Sequence, residues 1–263
     1  MNRKNKKIIK YTPKKIGYEI KIYIFVPEKT IIHLKLLVMK KLWLLFTAVF
    51  VLLTLSATQL RAQDEEKESN FSAGADVYSN YVWRGSKLGT GPSFQPSVKF
   101  VTGGLTLGVW GAFDAAGYTE ADPYISYSFP FGLSLGLTDY YLPGLEAFDF
   151  SDSTGSHALE LNAGFTLGGL SLSANYIVNE AGGVASTGGD MYFQAGYAFK
   201  YFNLFLGAGD GWYTSDGDFN ICNVGLGTSK EIKITDTFSV PVTGQVILNP
   251  EKEQFYLVVG FSL

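Results

Sequence analysis

The chain has 263 residues, of which 17% are charged and 15% aromatic, with 30 glycines and a single cysteine, Cys222. That charge content is well below that of an ordinary soluble domain, and one cysteine excludes an internal disulfide framework. The formal charge of −3 conceals an asymmetry: residues 1–62 carry 13 Lys/Arg against two Glu, and residues 63–263 carry 8 Lys/Arg against 22 Asp/Glu, a balance of −14 that excludes nucleic acid as a partner of the second part.

In chain order, residues 1–38 are basic and show neither a helical nor a strand period, and Met39 opens a complete export signal of its own. The first stretch therefore reads as an over-called start, with an unusually long leader as the alternative. From Met39 the chain runs through Lys40 and Lys41, an apolar stretch Leu42–Leu55, and small residues up to Ala62. At 14 residues the apolar run falls short of the ~20 that a spanning helix needs. Residues 39–62 are thus expected to be a secretory signal peptide cleaved after Ala62. No cysteine stands beside the cleavage region, which argues against a lipoprotein. Residues 63–70 form a short acidic tail, expected in the periplasm.

From residue 71 to 263 nearly every segment alternates with period two, the mark of strands with two different faces. Phe255, Leu257, Val259, Phe261 and Leu263 share one face, and Tyr256, Val258, Gly260 and Ser262 the other; Leu170, Leu172, Ala174 and Tyr176 likewise oppose Ser171, Ser173 and Asn175. The second face decides the solvent. A soluble sandwich or lipocalin would place Lys, Glu, Arg and Asp there, whereas here Gly, Ser, Thr, Asn and Gln predominate. Small polar groups lining a lumen, with an apolar band toward lipid, account for the pattern, because backbone groups in a bilayer must all be paired and a closed barrel has no edge. The expected fold is all-β, a transmembrane antiparallel up-and-down β-barrel of about 12 strands with ten as the alternative. The strands are expected near 71–84, 93–101, 105–113, 122–130, 133–141, 157–167, 170–178, 190–199, 202–209, 219–228, 239–248 and 254–263. Tight connections such as Gly103-Gly104 and Gly168-Gly169 alternate with longer ones such as Leu142–Ser156. Short turns are periplasmic and long loops external in bacterial barrels, which puts both termini in the periplasm and the barrel in the cell outer membrane. Ser229–Phe238 is long for such a turn, and Asn249–Glu253 short for such a loop.

If alternation continues through 71–84, Asp76, Tyr78, Asn80 and Arg84 face the lumen, joined by Lys99 and Glu160 from their own strands. Tyr81 and Trp83 then face lipid as part of an aromatic girdle. The lumen charges have two readings, a constriction that selects solutes by sign or a set of internal ion pairs that pins register or plugs the barrel. The second is favoured, since a lumen narrow enough for charges to meet is narrow enough to close. Asp210, Asp216 and Asp218 superficially resemble a calcium loop but lack the required Glu and flanking helices, so a solvated loop is the plainer reading and no metal or cofactor is expected. The part after the signal has one histidine, His157. Its neighbour Ser156 points to the opposite face of a strand, so a hydrolase site there is disfavoured.

The run Ser79-Asn80-Tyr81-Val82-Trp83-Arg84-Gly85, within residues 72–100, resembles the opening of the TorF family of porin-type proteins, with Gly108-Val109-Trp110 and the last strands similar in style. The resemblance implies an outer-membrane porin that passes small solutes by passive diffusion, with outer-membrane lipid, lipopolysaccharide and the barrel assembly machinery as partners. The carboxy-terminal Phe261-Ser262-Leu263 departs from the aromatic ending usual in such barrels. A closed structural or lipid-contacting barrel and a barrel hydrolase are the alternatives.

Overall fold

Alternating apolar and small polar side chains, interrupted by glycine-rich turns, give twelve antiparallel strands. They are β1 Phe71–Tyr78, β2 Ser93–Thr102, β3 Leu105–Asp114, β4 Thr119–Ser128, β5 Leu133–Tyr141, β6 His157–Leu167, β7 Leu170–Ile177, β8 Met191–Ala198, β9 Asn203–Gly209, β10 Asn220–Lys233, β11 Ser239–Asn249 and β12 Gln254–Ser262. This computed structural model describes residues 70–263, together with the backbone of two short strands, Ile8–Tyr11 and Ile22–Phe25, that pair with each other. The expected signal peptide 39–62, the remainder of the 1–38 stretch and residues 63–69 lie outside the described residues.

Each barrel strand pairs with its chain neighbours, and β12 closes on β1 through Gly260↔Tyr78, Phe261↔Val77 and Ser262↔Asp76. The terminal Leu263 completes the seam: its amide donates to Ala75 O at 2.8 Å, and its carbonyl accepts from Ala75 N at 3.1 Å. Closure leaves no unpaired edge, which is the condition for strands to survive in lipid.

The connections divide the barrel into two ends. At the turn end the links are 103–104, 129–132, 168–169, 199–202 and 234–238; at the loop end they are 79–92, 115–118, 142–156, 178–190, 210–219 and 250–253. Gly103 and Gly104 both take positive φ, 54° and 88°, as a two-residue hairpin turn matched to strand twist requires. Half of the stretch Ser229–Phe238 is strand, because β10 continues to Lys233 and leaves Ile234–Phe238 as the turn. The link 250–253 is a short loop, as read from the sequence.

Outward positions are apolar and exposed, among them Phe94, Val98, Val109, Leu161, Leu172, Leu206 and Val259. The buried core therefore lies inside the barrel, and it occupies only the loop end. Tyr140, Ala158 and Ile177 form one buried cluster and Tyr192, Tyr213 and Cys222 another, with Trp83 and Trp212 packed against both. Inward residues nearer the turn end, such as Lys99, Ser171 and Ser229, are exposed.

Candidate functional site

The expected first strand, 71–84, ends at Tyr78. Ser79 still bonds to β12, its amide donating to Val259 O at 2.8 Å and its Oγ accepting from Val259 N at 3.0 Å, and Asn80 Nδ2 reaches Leu257 O at 3.3 Å. Beyond Asn80 the chain leaves the wall. Tyr81–Trp83 pairs with Ser86–Leu88 in a separate hairpin, Tyr81↔Leu88 and Trp83↔Ser86. At its tip Arg84 and Gly85 both have positive φ, 48° and 84°. This is the two-residue turn favoured in hairpins, with an arginine where Gly or Asn is usual. Holding a non-glycine residue there costs about 1–2 kcal/mol, so other contacts must hold it.

Those contacts come from the Arg84 guanidinium. Nη1 and Nη2 donate to Glu160 Oε2 and Oε1 at 2.5 and 2.8 Å, and Nη1 also donates to Tyr213 Oη at 2.6 Å. The charge sits 4.6–5.1 Å from the ring centres of Trp83, Tyr192 and Tyr213, the arrangement in which a cation is attracted to an aromatic face. Glu160 is 0% exposed and accepts further bonds from Tyr140 Oη at 2.9 Å, Tyr213 Oη at 3.0 Å and Asn162 Nδ2 at 2.6 Å. Burial pushes the Tyr213 phenol upward, so it stays protonated and can donate. A bidentate pair whose remaining lone pairs are all satisfied is the geometry in which a buried ion pair is tolerable.

The hairpin is fixed at other points too. The Gly85 carbonyl accepts from Asn249 Nδ2 at 3.0 Å, and Ser86 Oγ from Lys252 Nζ at 2.9 Å. A Cβ on Gly85 would collide with the Cys222 carbonyl of β10, so the tip rests on the wall. Tyr81 packs on Trp110 and Tyr118, with ring centres 5.4 and 6.0 Å apart, beside the buried carboxylates Glu120 and Asp122. Trp83 packs on Tyr140, Trp212 and Tyr213 at 5.3–6.1 Å. The loop end of the lumen is thereby filled with aromatic rings around one ion pair.

Tyr81 and Trp83 are consequently not girdle residues. The hairpin they belong to alternates just as a wall strand does, but it pairs with itself and buries Tyr81 to 8% exposure inside the barrel. Of the lumen candidates, the structure brings Arg84 and Glu160 together and separates them from the rest. Asp76 and Tyr78 point inward on β1, where Tyr78 pairs with Ser93; Lys99 is inward but six residues further along β2, opposite Ser72. Asp210 and Asp216 accept backbone amides of Met191 and Asp218 at 2.6 and 3.0 Å, and among the described residues no group of three potential metal-ligating side chains is assembled. His157 lies at the loop-end rim. Its ring nitrogens meet Asp139 Oδ2 at 2.8 Å and the Ala147 carbonyl at 3.0 Å, and it is stacked between Tyr141 and Phe150. Ser156 Oγ donates instead to the Glu146 carbonyl, so the two make no nucleophile and base pair.

Several partners were not singled out in the sequence. Tyr140, Asn162 and Tyr192 carry a signal, being large polar residues at inward positions where the barrel otherwise places Gly and Ser. Tyr213 and Trp212 carry none, because they come from a short 3-10 turn, Gly211–Tyr213, inside a loop.

No family model matches the sequence, and no curated protein does either. Among solved structures, a mutant of the Rh. blastica porin aligns at 14% identity over 65% of this chain with a TM-score of 0.35. Pseudomonas aeruginosa OccK8 (OprE) aligns at 16% identity over 74% of this chain and 67% of its own, with a TM-score of 0.34. The chain spans 55% of the length of the first porin. The fold rests on its own strand pairing.

Proposed function

We propose that this protein is a porin-type barrel of the outer membrane whose lumen is shut at rest by the hairpin Tyr81–Leu88 and admits small solutes by passive diffusion when that hairpin swings aside. The observation that carries the reading is the complete burial of Glu160 inside the lumen, gripped by Arg84 of a hairpin that has left the wall. A permanently open pore has no use for an arginine held in a left-handed turn by an ion pair, whereas a plug that must be both firm and releasable does. The apolar outward face and the seamless closure fit a lipid environment. The resemblance of residues 72–100 to the TorF family points the same way. On this reading 39–62 is removed as a signal peptide, the turn end and both termini face the periplasm, and the loop end meets lipopolysaccharide after insertion by the barrel assembly machinery. No residue has a catalytic role.

Planar-bilayer recording tests the reading. The wild type should be silent or open rarely, and Arg84→Ala should conduct in discrete steps, because removing one partner of a buried pair costs about 3–5 kcal/mol and the plug loses its anchor. Silence from folded, heat-modifiable Arg84→Ala protein would support a closed structural barrel instead.

A further inference from the structure

Below the plug the lumen opens into a vestibule facing the turn end, and one part of its wall is built differently from the rest. Phe205 points inward from β9, and its ring lies across Gly225 on β10, occupying the space that a Cβ there would need. The ring is thus held flat, with one face on the backbone and the other toward the lumen. Glycines keep the surroundings low: Gly196, paired with Phe205 on the β8 side, and Gly227 on β10. Three amides stand around this floor. Asn203 lies two residues from Phe205 on the same face and spreads its side chain over Gly227. Gln194 is on β8, and its Oε1 accepts from Tyr192 Oη at 2.7 Å and Asn223 Nδ2 at 3.1 Å, which leaves its NH2 group to donate. Gln245 projects from β11, paired with Gly227. Adjacent strands are about 4.8 Å apart, so Gln194 stands one strand from Phe205 on one side and Gln245 two strands away on the other, roughly 10 Å across the wall.

The wall around this floor is uncharged. No Asp, Glu, Lys or Arg stands on β8, β9 or β11, or on β10 from Asn223 to Ser229, and Lys233 further along β10 is bridged by Asp236 at 2.7 Å. An ion of either sign would give up hydration there without gaining a dedicated counter-charge, which is costly, whereas a neutral solute pays no such penalty. A flat aromatic face suits the C–H face of a saturated ring, and amides that both donate and accept suit its hydroxyls.

We propose that Phe205, Asn203, Gln194 and Gln245 form a binding site for uncharged, hydroxyl-rich ring solutes of the pyranose sugar class, entered from the turn end. This names the substrate class of the barrel and rests on the solute-passing reading above, but the binding itself requires only that the vestibule be open below the plug.

The test uses wild-type protein in an amine-oxide detergent, which has no sugar headgroup, and saturation-transfer NMR with three matched probes: glucose, glucuronate and glucosamine. Glucose should give a saturable signal at least fivefold above those of glucuronate and glucosamine. It should fall at least fivefold in Phe205→Leu, which keeps the apolar volume but loses the flat face, and in Gln245→Leu, with heat-modifiability confirming that each variant is folded. Equal signals from the three probes, or an undiminished glucose signal in folded Phe205→Leu, would overturn the site. Because binding is read on the shut barrel without current, glucose binding with no conductance in any variant would overturn passage and leave the site standing. Conductance without glucose binding would do the reverse.

Discussion

The two ends of the lumen are made from the same alternating strands and differ in what fills them. At the loop end the inward residues include Tyr140, Glu160, Tyr192 and Asn223, all buried, and an inserted hairpin together with Trp212 and Tyr213 adds further volume. At the turn end they are Ser134, Gly164, Ser171 and Ser229, and nothing is inserted. A barrel wall fixes the direction of its side chains but not whether its interior is a core or a passage. That choice lies in side-chain volume and in the connections that fold inward, the hairpin of 79–92 and the turn Gly211–Tyr213. It also divides the energetics, since substitutions at the loop end act on a packed interior and those at the turn end on a wetted surface.

The largest effect expected from this contrast is at Glu160. Glu160→Ala leaves the Arg84 guanidinium buried without its partner, a loss of about 3–5 kcal/mol, and combined with Arg84→Ala it should be strongly non-additive. Urea unfolding of the single and double variants measures the coupling; simple additivity would mean that the pair is wetted and the two ends are alike.

A smaller effect separates two glycines. Gly85→Ala places a side chain at φ 84° against the Cys222 carbonyl, and should cost about 1–3 kcal/mol. Gly244→Ala, with open space around it on β11, should stay within about 0.5 kcal/mol. Equal thermal shifts would remove the hairpin tip from the wall.

Much of this was legible beforehand. Period-two alternation, paired glycines and alternating link lengths lead to a barrel of about twelve strands, with ten left open by the two irregular links, and strand parity puts Glu160 in the lumen. The end of β1 was not legible, since Asn80-Tyr81-Val82-Trp83 alternates as regularly as the wall does. Pairing decides the matter, and Tyr81 finds Leu88 in its own hairpin instead of a neighbour in the barrel. The vestibule site was hidden for a related reason: Phe205 opposite Gly225 reads as an apolar residue beside a spacer until the register brings them together.

The smallest effect concerns the rim. Hydrogen bonds from Ser151 and Thr154 hold the Asp149 carboxyl below its usual range. A depressed carboxyl pKa adds stability that is present above its unfolded value, near ~4, and lost as the pH falls through the folded one. Loop 142–156 should therefore be cleaved faster by an acid-active protease only below about pH 4, and Asp149→Asn should flatten that dependence while leaving the plug unaffected.

Cys222 offers the most direct test of the plug itself. It is the only cysteine in the chain, 0% exposed, and it lies under the hairpin tip on the inner wall. Intact cells treated with a membrane-impermeant maleimide should leave it unlabelled in the wild type and label it in Arg84→Ala and Glu160→Ala. Full labelling of the wild type, or protection that persists in conducting variants, would contradict a hairpin that closes the lumen.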